Sequence, residues 1–580
     1  MKTLKDPSQG QLFDPFEGVI SEAGWKQIAS SWQGLFRHVV LEQLPASRLG
    51  QDLSEEMGRP SKELFAMCGL LLIREFHDWT IPEAHEAVLF RSDVQYALNL
   101  EPGFDISQRT IERYVARLYA DEPLAAELFT TLTERLIEEL ELSVRKQRLD
   151  STHVASDMAV VGRTRMMGIA VKRFLKRLAK ERPDDYELLP EELRTRYAGS
   201  SDSQVFGNVR TSEARLKARQ QAAEDLYLVV ARFSGDETVS TWKLYDQLAQ
   251  MLSEQCEVRE GRVAIKAKTG GAILQNISDP DATYCGNKGP GHKVQLSETC
   301  GEENEVELII AARVETAVQS DADAIEPILE DAEQRGRLPE ELLCDSGYGG
   351  DDNYQAAQEK GVELISPVPG GAEYDPENRA DYQHFTINEA HEVTACPAGH
   401  APQSSRYNSG SDRLAITMDY ETCRECPLRA QCPVKLHEGP KRNSAKVNMR
   451  MAKHRARTRR EAEQSEAFRD AYRIRSGIEG TNSCLKRRLG MGRLRVRGRP
   501  AVASTLLLKL AGWNILRAAT SGKMRKRLAK ILEKLIEQGC IAPILRRLTM
   551  SFAVQWSLCR LRVAATAIAA ILGGALPTPA

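Results

Sequence analysis

Apolar residues recur at helical spacing through the first 140 positions and then give way to alternation. Ser61 to Phe76 (SKELFAMCGLLLIREF) is a dense apolar run that predicts a buried helix. WTIPEAHEAVLFRSDVQYAL (79–98) and DISQRTIERYVARLYA (105–120) follow with helical periodicity, and Ser107, with Thr110 and Glu112 behind it, predicts an N-cap for the second. From about 143 the pattern changes. VRKQRLDSTHVASDM (144–158) predicts a strand that breaks at Asp150. A charge-rich helical stretch over 165–255 then interrupts the sheet. Strand signals resume with HKVQLSETC (292–300) and EVELIIAARVET (305–316). A helix over 321–336, the strand ELLCDSGYG (341–349), a helix over 351–361 and the strand VELISPVP (362–369) complete the alternation. Strands in hairpin-like succession, then alternating with helices, predict a mixed α/β sheet flanked by helices. Gly347 and Gly349 after Asp345 allow a tight turn at that strand end. GNKGPGHK (286–293) lacks a phosphate-loop pattern and a following helix, so it reads as a turn. A further insertion is expected over 372–440, then basic helices over 445–490 and 498–535; no fixed-period repeat is present.

Charge sharpens this outline. The 580 residues carry a formal charge of -2, but residues 441–530 hold 26 Lys and Arg against 5 Asp and Glu. The rest of the chain holds 53 basic and 76 acidic side chains. Segregation of this size points to a polyanion, most simply nucleic acid. The helix, turn and capped helix before residue 120 have the layout of a helix-turn-helix, with Gln108, Arg109, Arg113 and Arg117 facing DNA; an ordinary helical bundle fits the same pattern. No leader-like N-terminus is evident. The apolar stretch Val563 to Leu576 is about 14 residues, short of the roughly 18–20 that span a bilayer. A soluble, cytoplasmic, nucleoid-associated protein is therefore expected. Twelve cysteines in this length are no disulfide scaffold, and Cys68, Cys300 and Cys344 sit in apolar runs.

Three carboxylates carry the candidate chemistry: Asp150 in RLDSTHVAS, Asp345 in ELLCDSGYGG and Glu479 in RIRSGIEGTNSCLKRRLG. A lone aspartate at a strand end is usually a cap or turn residue. Three acids brought together by a sheet and a helix would repel unless a cation joins them, and Mg²⁺ takes hard oxygen ligands while leaving room for phosphate oxygens. Two such ions could support in-line phosphoryl chemistry.

The order Asp, Asp, Glu, with LDSTHV, CDSGY and a Y-x₂-R-x₃-E-x₆-K stretch (Tyr472, Arg475, Glu479, Lys486), resembles the DDE transposases of bacterial insertion sequences. The resemblance runs over roughly residues 15 to 520 and takes in 279–300, which is similar to a segment those proteins carry before their second and third strands. It implies an RNase H-like core, Mg²⁺ or Mn²⁺, cutting and joining at terminal inverted repeats, and Asp150, Asp345 and Glu479 as the metal-binding triad. Tyr472 and Arg475, seven and four residues before Glu479, share its helix face. Arg475 is either a phosphate clamp or a plain salt-bridge partner of Glu479. Lys486, on the same face, is placed to contact phosphate or a terminal base. His153 either orients Asp150 or is structural. Asn482 and Ser483 receive no catalytic role.

Cys396, Cys423, Cys426 and Cys432 follow C-x₂₆-C-x₂-C-x₅-C, a set that suits a structural tetrahedral Zn²⁺, with His400 as a spare ligand. An iron–sulfur cluster or free thiols are the alternatives. In RRLGMGRLRVRGRP (487–500), Arg493, Arg495, Arg497 and Arg499 alternate with Leu494, Val496 and Gly498, which puts four guanidinium groups on one side of an extended segment facing phosphates. The expected domains are a helical DNA-binding and assembly region (1–140) and an RNase H-like core (141–371) interrupted at about 165–255. A zinc-binding insertion (372–440), a basic helical part carrying Glu479 (441–535) and a variable tail (536–580) follow. The expected function is a DNA transposase working on terminal repeats and target DNA, as a homodimer that holds two ends. A hydrolytic nuclease of the same fold and a non-catalytic repressor are the alternatives.

Overall fold

The computed structural model describes residues 1–5, 7, 15, 16, 19–199, 211–370, 375, 377–439 and 443–539. The apolar Val563–Leu576 stretch, and the tail beyond residue 539 to which it belongs, lie outside the described residues. The chain divides into two compact units, one of Met1–Glu141 with the residues from Ala511 on, the other Leu142–Leu510.

The first unit is helical. Its principal helices before residue 142 are α1 (Leu64–Phe76), α2 (Ile81–Phe90), α3 (Gln108–Ala120) and α4 (Glu122–Leu140). Every residue of α1 except Phe65 is buried, as its unbroken apolar run requires. Thr80 and Glu83 form a capping box that starts α2. Ser107 accepts from the Thr110 amide at the start of α3, as its place in the sequence predicts.

The second unit is built on a mixed sheet. Its strands are β1 (Lys146–Val154), β2 (Thr283–Cys285), β3 (Gly289–Thr299), β4 (Ile309–Thr316), β5 (Glu341–Leu343) and β6 (Glu363–Ile365). The order is β4–β3–β1–β5–β6, with β2 also on the β3 edge. β3 is antiparallel to β1 and to β4, whereas β5 and β6 run parallel to β1. Three antiparallel strands followed by two parallel ones make an RNase H-like sheet, the α/β class the sequence predicts. Helices α5 (Arg163–Glu181), α6 (Ser212–Phe233) and α7 (Lys243–Gln255) lie between β1 and β2 and enclose a core of their own around Phe174, Phe233, Trp242 and Tyr245. α8 (Ile325–Gln334) and α9 (Asp351–Glu359) cover one face of the sheet, packing on Leu149 and Leu342. Since side chains alternate along a strand, Arg148 and Asp150 project from the opposite face.

Three expectations change here. The strand does not break at Asp150: β1 runs on to Val154 because β3 pairs with it residue for residue, Asp150 opposite Leu296. Asp150 therefore stands mid-strand and presents its carboxylate from the face of the sheet. β5 ends at Leu343, so Asp345 lies in the loop beyond it. The basic stretch after 441 opens with a strand, not a helix. That strand, Ser444–Arg450, buries Ala445, Val447 and Met449 and turns Lys446, Asn448 and Arg450 outward, a period of two hidden among the charges. It belongs to a four-stranded antiparallel sheet with Ser404–Asn408, Arg413–Met418 and Lys435–His437. Helices α10 (Met451–Ala462), α11 (Glu466–Arg473) and α12 (Gly477–Arg488) follow, α11 and α12 being joined by a single 3₁₀ turn, Ile474–Ser476.

Candidate active site

Three elements bring the acids together. β1 supplies Asp150, the loop after β5 supplies Asp345, and the first turn of α12 supplies Glu479. The Asp345 loop is fixed by its own chemistry: its Oδ1 accepts from the Gly347 amide at 2.7 Å, and its carbonyl accepts from the Ser366 hydroxyl at 2.6 Å. Three residues on, the buried Tyr348 donates to Gln295 Oε1 on β3 at 2.5 Å, tying the loop to the sheet. A side chain at position 349 would meet the Pro367 carbonyl at 2.1 Å, so glycine is required there by space.

Arg475, in the 3₁₀ turn, spans the trio. One terminal nitrogen lies 2.7 Å from Glu479 Oε1; the other lies 3.2 Å from Asp150 Oδ1 and 3.6 Å from Asp345 Oδ2. Arg475 is thus the salt-bridge partner of Glu479, one of the two expected readings, and it also reaches the two aspartates. Exposure rises across the trio, from 14% for the Asp150 side chain through 40% for Asp345 to 64% for Glu479, so the cluster opens toward solvent on the helix side. Burial holds the Asp150 carboxyl above the usual aspartate range, with Asp345 adding to it against the pull of Arg475 and Asn482. Burial opposes the charge on Arg475, but the surrounding acids outweigh it and raise its pKa.

The donor set is three carboxylates, hard oxygen ligands that suit Mg²⁺ or Mn²⁺. Asn482 adds a further oxygen. Its Nδ2 donates to Asp150 Oδ2 at 2.9 Å, which fixes which way the amide points, and its buried Oδ1 has no hydrogen-bond partner. Among the described residues no three His, Cys, Asp or Glu side chains form a ready-made metal site; the group that spans the acids is the guanidinium of Arg475. By donor chemistry the site fits a hard divalent cation.

The other expected residues fall in several places. Tyr472 is stacked on Phe468 at 5.6 Å between ring centroids, and both pack against Cys300, Leu343 and Ile365. Lys486 is exposed on α12, its pKa lowered by partial burial and by the neighbouring Lys288. His153 lies against Gly291 of β3; among the described residues no hydrogen bond joins it to Asp150. The arginine segment runs beside the end of β1. Ala155 donates to the Gly492 carbonyl, Leu494 to the Ala155 carbonyl, and Asp157 to the Val496 carbonyl. Leu494 is buried and Arg493, Arg495, Arg497 and Arg499 are exposed, but the extended segment ends at Gly498 (φ 79°), and Arg499 opens the helix Arg499–Ala518, so the four do not lie along one extended run as expected. Arg497 is paired with Asp157 at 2.7 Å. Gln108, Arg109 and Arg113 are exposed on α3, and Arg113 and Arg117 join Arg59 and Lys62 around a cavity of about 360 Å³ in the first unit. Cys396, Cys423, Cys426, Cys432 and His400 line one small cavity of about 20 Å³, and the cysteines are not in disulfides. Burial, reinforced by the other three cysteines, pushes the Cys423 thiol up to about 11.

The sheet, the loop after β5 and the first turn of α12 thus bring three acids together beside an RNase H-like sheet. Residues 395–519, which hold the cysteines, Glu479 and the arginine segment, match the family model of the transposase DDE domain, and this match supports a DDE-type transposase. Asp150 and Asp345 precede the matched stretch. Comparison with curated proteins and with solved structures gave no match. No helix among the described residues is long and apolar enough to cross a membrane.

Proposed function

We propose that the protein cuts DNA at the ends of an insertion sequence and joins the freed 3′ hydroxyls to target DNA. The observation that carries this reading is the convergence of Asp150, Asp345 and Glu479 on Arg475. The three acids would hold Mg²⁺ or Mn²⁺, which supplies activation of the attacking oxygen and neutralisation of the leaving one. In that state the Arg475 fork turns to a DNA phosphate. Lys486, with Lys288 beside it, gives the same face a second cationic contact. Arg493, Arg495, Arg497 and Arg499 hold the flanking backbone, and the helical region 1–140 binds the terminal repeats through α3 and the basic cavity beside it. Both ends must be held at once, so the working form is a homodimer acting at the nucleoid. The test is incubation of the full-length protein with Mg²⁺, labelled DNA carrying the element's ends and a plasmid target. Joined products are expected. Hydrolysis without joining would mark a nuclease of the same fold, and binding without cleavage a repressor.

The insertion around 372–440 would be held by one Zn²⁺ on Cys396, Cys423, Cys426 and Cys432, which the shared small cavity supports. The ligands are thiolates and must lose protons to bind, so zinc would pull down the raised Cys423 pKa. One zinc per chain is expected by elemental analysis, and chelation should lower the melting temperature of the protein. Iron absorption, or no metal with unchanged melting, would assign the cysteines to a cluster or to free thiols.

A further inference from the structure

Glu298 is the most deeply buried acid near the site, at 1% exposure, and the cleavage chemistry makes no use of it. It sits on β3 opposite Arg148, on the same sheet face as Asp150. Arg148 donates twice to Glu298 Oε2, from Nε at 2.8 Å and from a terminal nitrogen at 2.6 Å. The other oxygen, Oε1, accepts the Thr481 hydroxyl at 2.8 Å. The remaining nitrogen of Arg148 donates to the Ile474 carbonyl at 3.0 Å. A single buried pair therefore grips the chain on both sides of Glu479, once in the 3₁₀ turn before α12 and once two residues past Glu479. Gly477 follows from the same packing, because a Cβ there would stand 2.0 Å from the Arg148 guanidinium.

Burying an ion pair costs desolvation that its mutual attraction seldom exceeds, so such pairs are poor stabilisers compared with apolar packing. Their best-attested use is to select one arrangement among several. Here the arrangement is the position of α12 on the sheet. Arg148 is two residues from Asp150 on one strand face, and Thr481 is two residues from Glu479 on one helix, so the pair sets how far apart the two acids stand.

We propose that Arg148, Glu298 and Thr481 are positioning residues that hold Glu479 in register with Asp150 for cation binding. This rests on the reading of the triad given above. Thr481→Val removes one hydroxyl at nearly constant volume. Mn²⁺ affinity, followed by electron paramagnetic resonance, and cleavage of labelled ends should both fall about tenfold or more, with DNA affinity unchanged. Thr481→Ser keeps the hydroxyl and should recover most of both. Arg148→Lys keeps the ion pair but loses the reach to Ile474, and should lose Mn²⁺ affinity in the same way. If Thr481→Val does not fold, as judged by circular dichroism, Arg148→Lys decides. Wild-type protein that neither binds Mn²⁺ nor cleaves would overturn the triad reading itself. Wild type that does both, with Thr481→Val or the deciding Arg148→Lys equal to it, or with Thr481→Ser as impaired as Thr481→Val, would overturn the positioning role alone.

Discussion

Asp150→Ala, Asp345→Ala and Glu479→Ala should each abolish DNA cleavage while leaving end binding close to wild type. In the proposed function each acid would be an oxygen ligand of a cation that supplies several kcal/mol of transition-state stabilisation, so a loss of about 10³-fold or more is expected. DNA affinity should hold, because in the proposed function it would be drawn from the arginine segment and α3, not from the acids. The three positions should differ in stability. The Asp150 carboxyl has a folded pKa above its ordinary value, because burial penalises its charge. Such a group contributes stability when protonated, and that contribution is lost as pH rises through the folded pKa. At neutral pH without divalent cations the ionised Asp150 is a liability, and Asp150→Asn should melt above wild type even though it does not cleave. Glu479 is exposed, so removing its charge relieves no burial. Gel-shift and cleavage measurements on the three alanine variants, with melting of Asp150→Asn beside wild type, check all of this. Substantial residual cleavage by any one variant removes that residue from the site.

Replacing Arg493, Arg495, Arg497 and Arg499 together by alanine should flatten the salt dependence of DNA binding. Each phosphate neutralised on duplex DNA contributes about 0.9 to the slope of log K against log salt. All four side chains are exposed, so the slope should fall by roughly 3 to 4 if each contacts one phosphate. The loss should be similar on any sequence, since backbone contacts carry no base information. An unchanged slope would mean the segment does not touch DNA, and a loss confined to the element's ends would mean that these arginines read bases.

The α/β class was legible from local pattern, because β3, β4 and the helices between the later strands are written in alternation and helical spacing. The three acids could be found through their small-residue contexts and their resemblance to a known motif. What joins them could not. Asp150 was expected at a strand tip because LDSTH loses its apolar alternation there, yet β3, far along the chain, continues the pairing to Val154. Thr481 and Asn482 look like ordinary polar helix positions, and only burial against Glu298 and Asp150 gives them a role. Asn482, left without a task by the sequence, bonds directly to Asp150 through its side-chain amide. One signal was available: Ile478, Thr481, Asn482 and Leu485 recur at helical spacing, a buried stripe in which two polar residues must find partners. The strand Ser444–Arg450 was likewise readable by its period of two, but its lysine and arginine masked it among basic helices.

The central claim is that Asp150, Asp345 and Glu479 share one divalent cation site. Replacing Mg²⁺ by Fe²⁺ in the presence of ascorbate and peroxide generates hydroxyl radicals where the iron is bound, and these cut the polypeptide nearby. Cuts close to residues 150, 345 and 479, suppressed by excess Mg²⁺ and lost in Glu479→Gln, are the predicted result. Cuts elsewhere that ignore Mg²⁺ and persist in Glu479→Gln would contradict it.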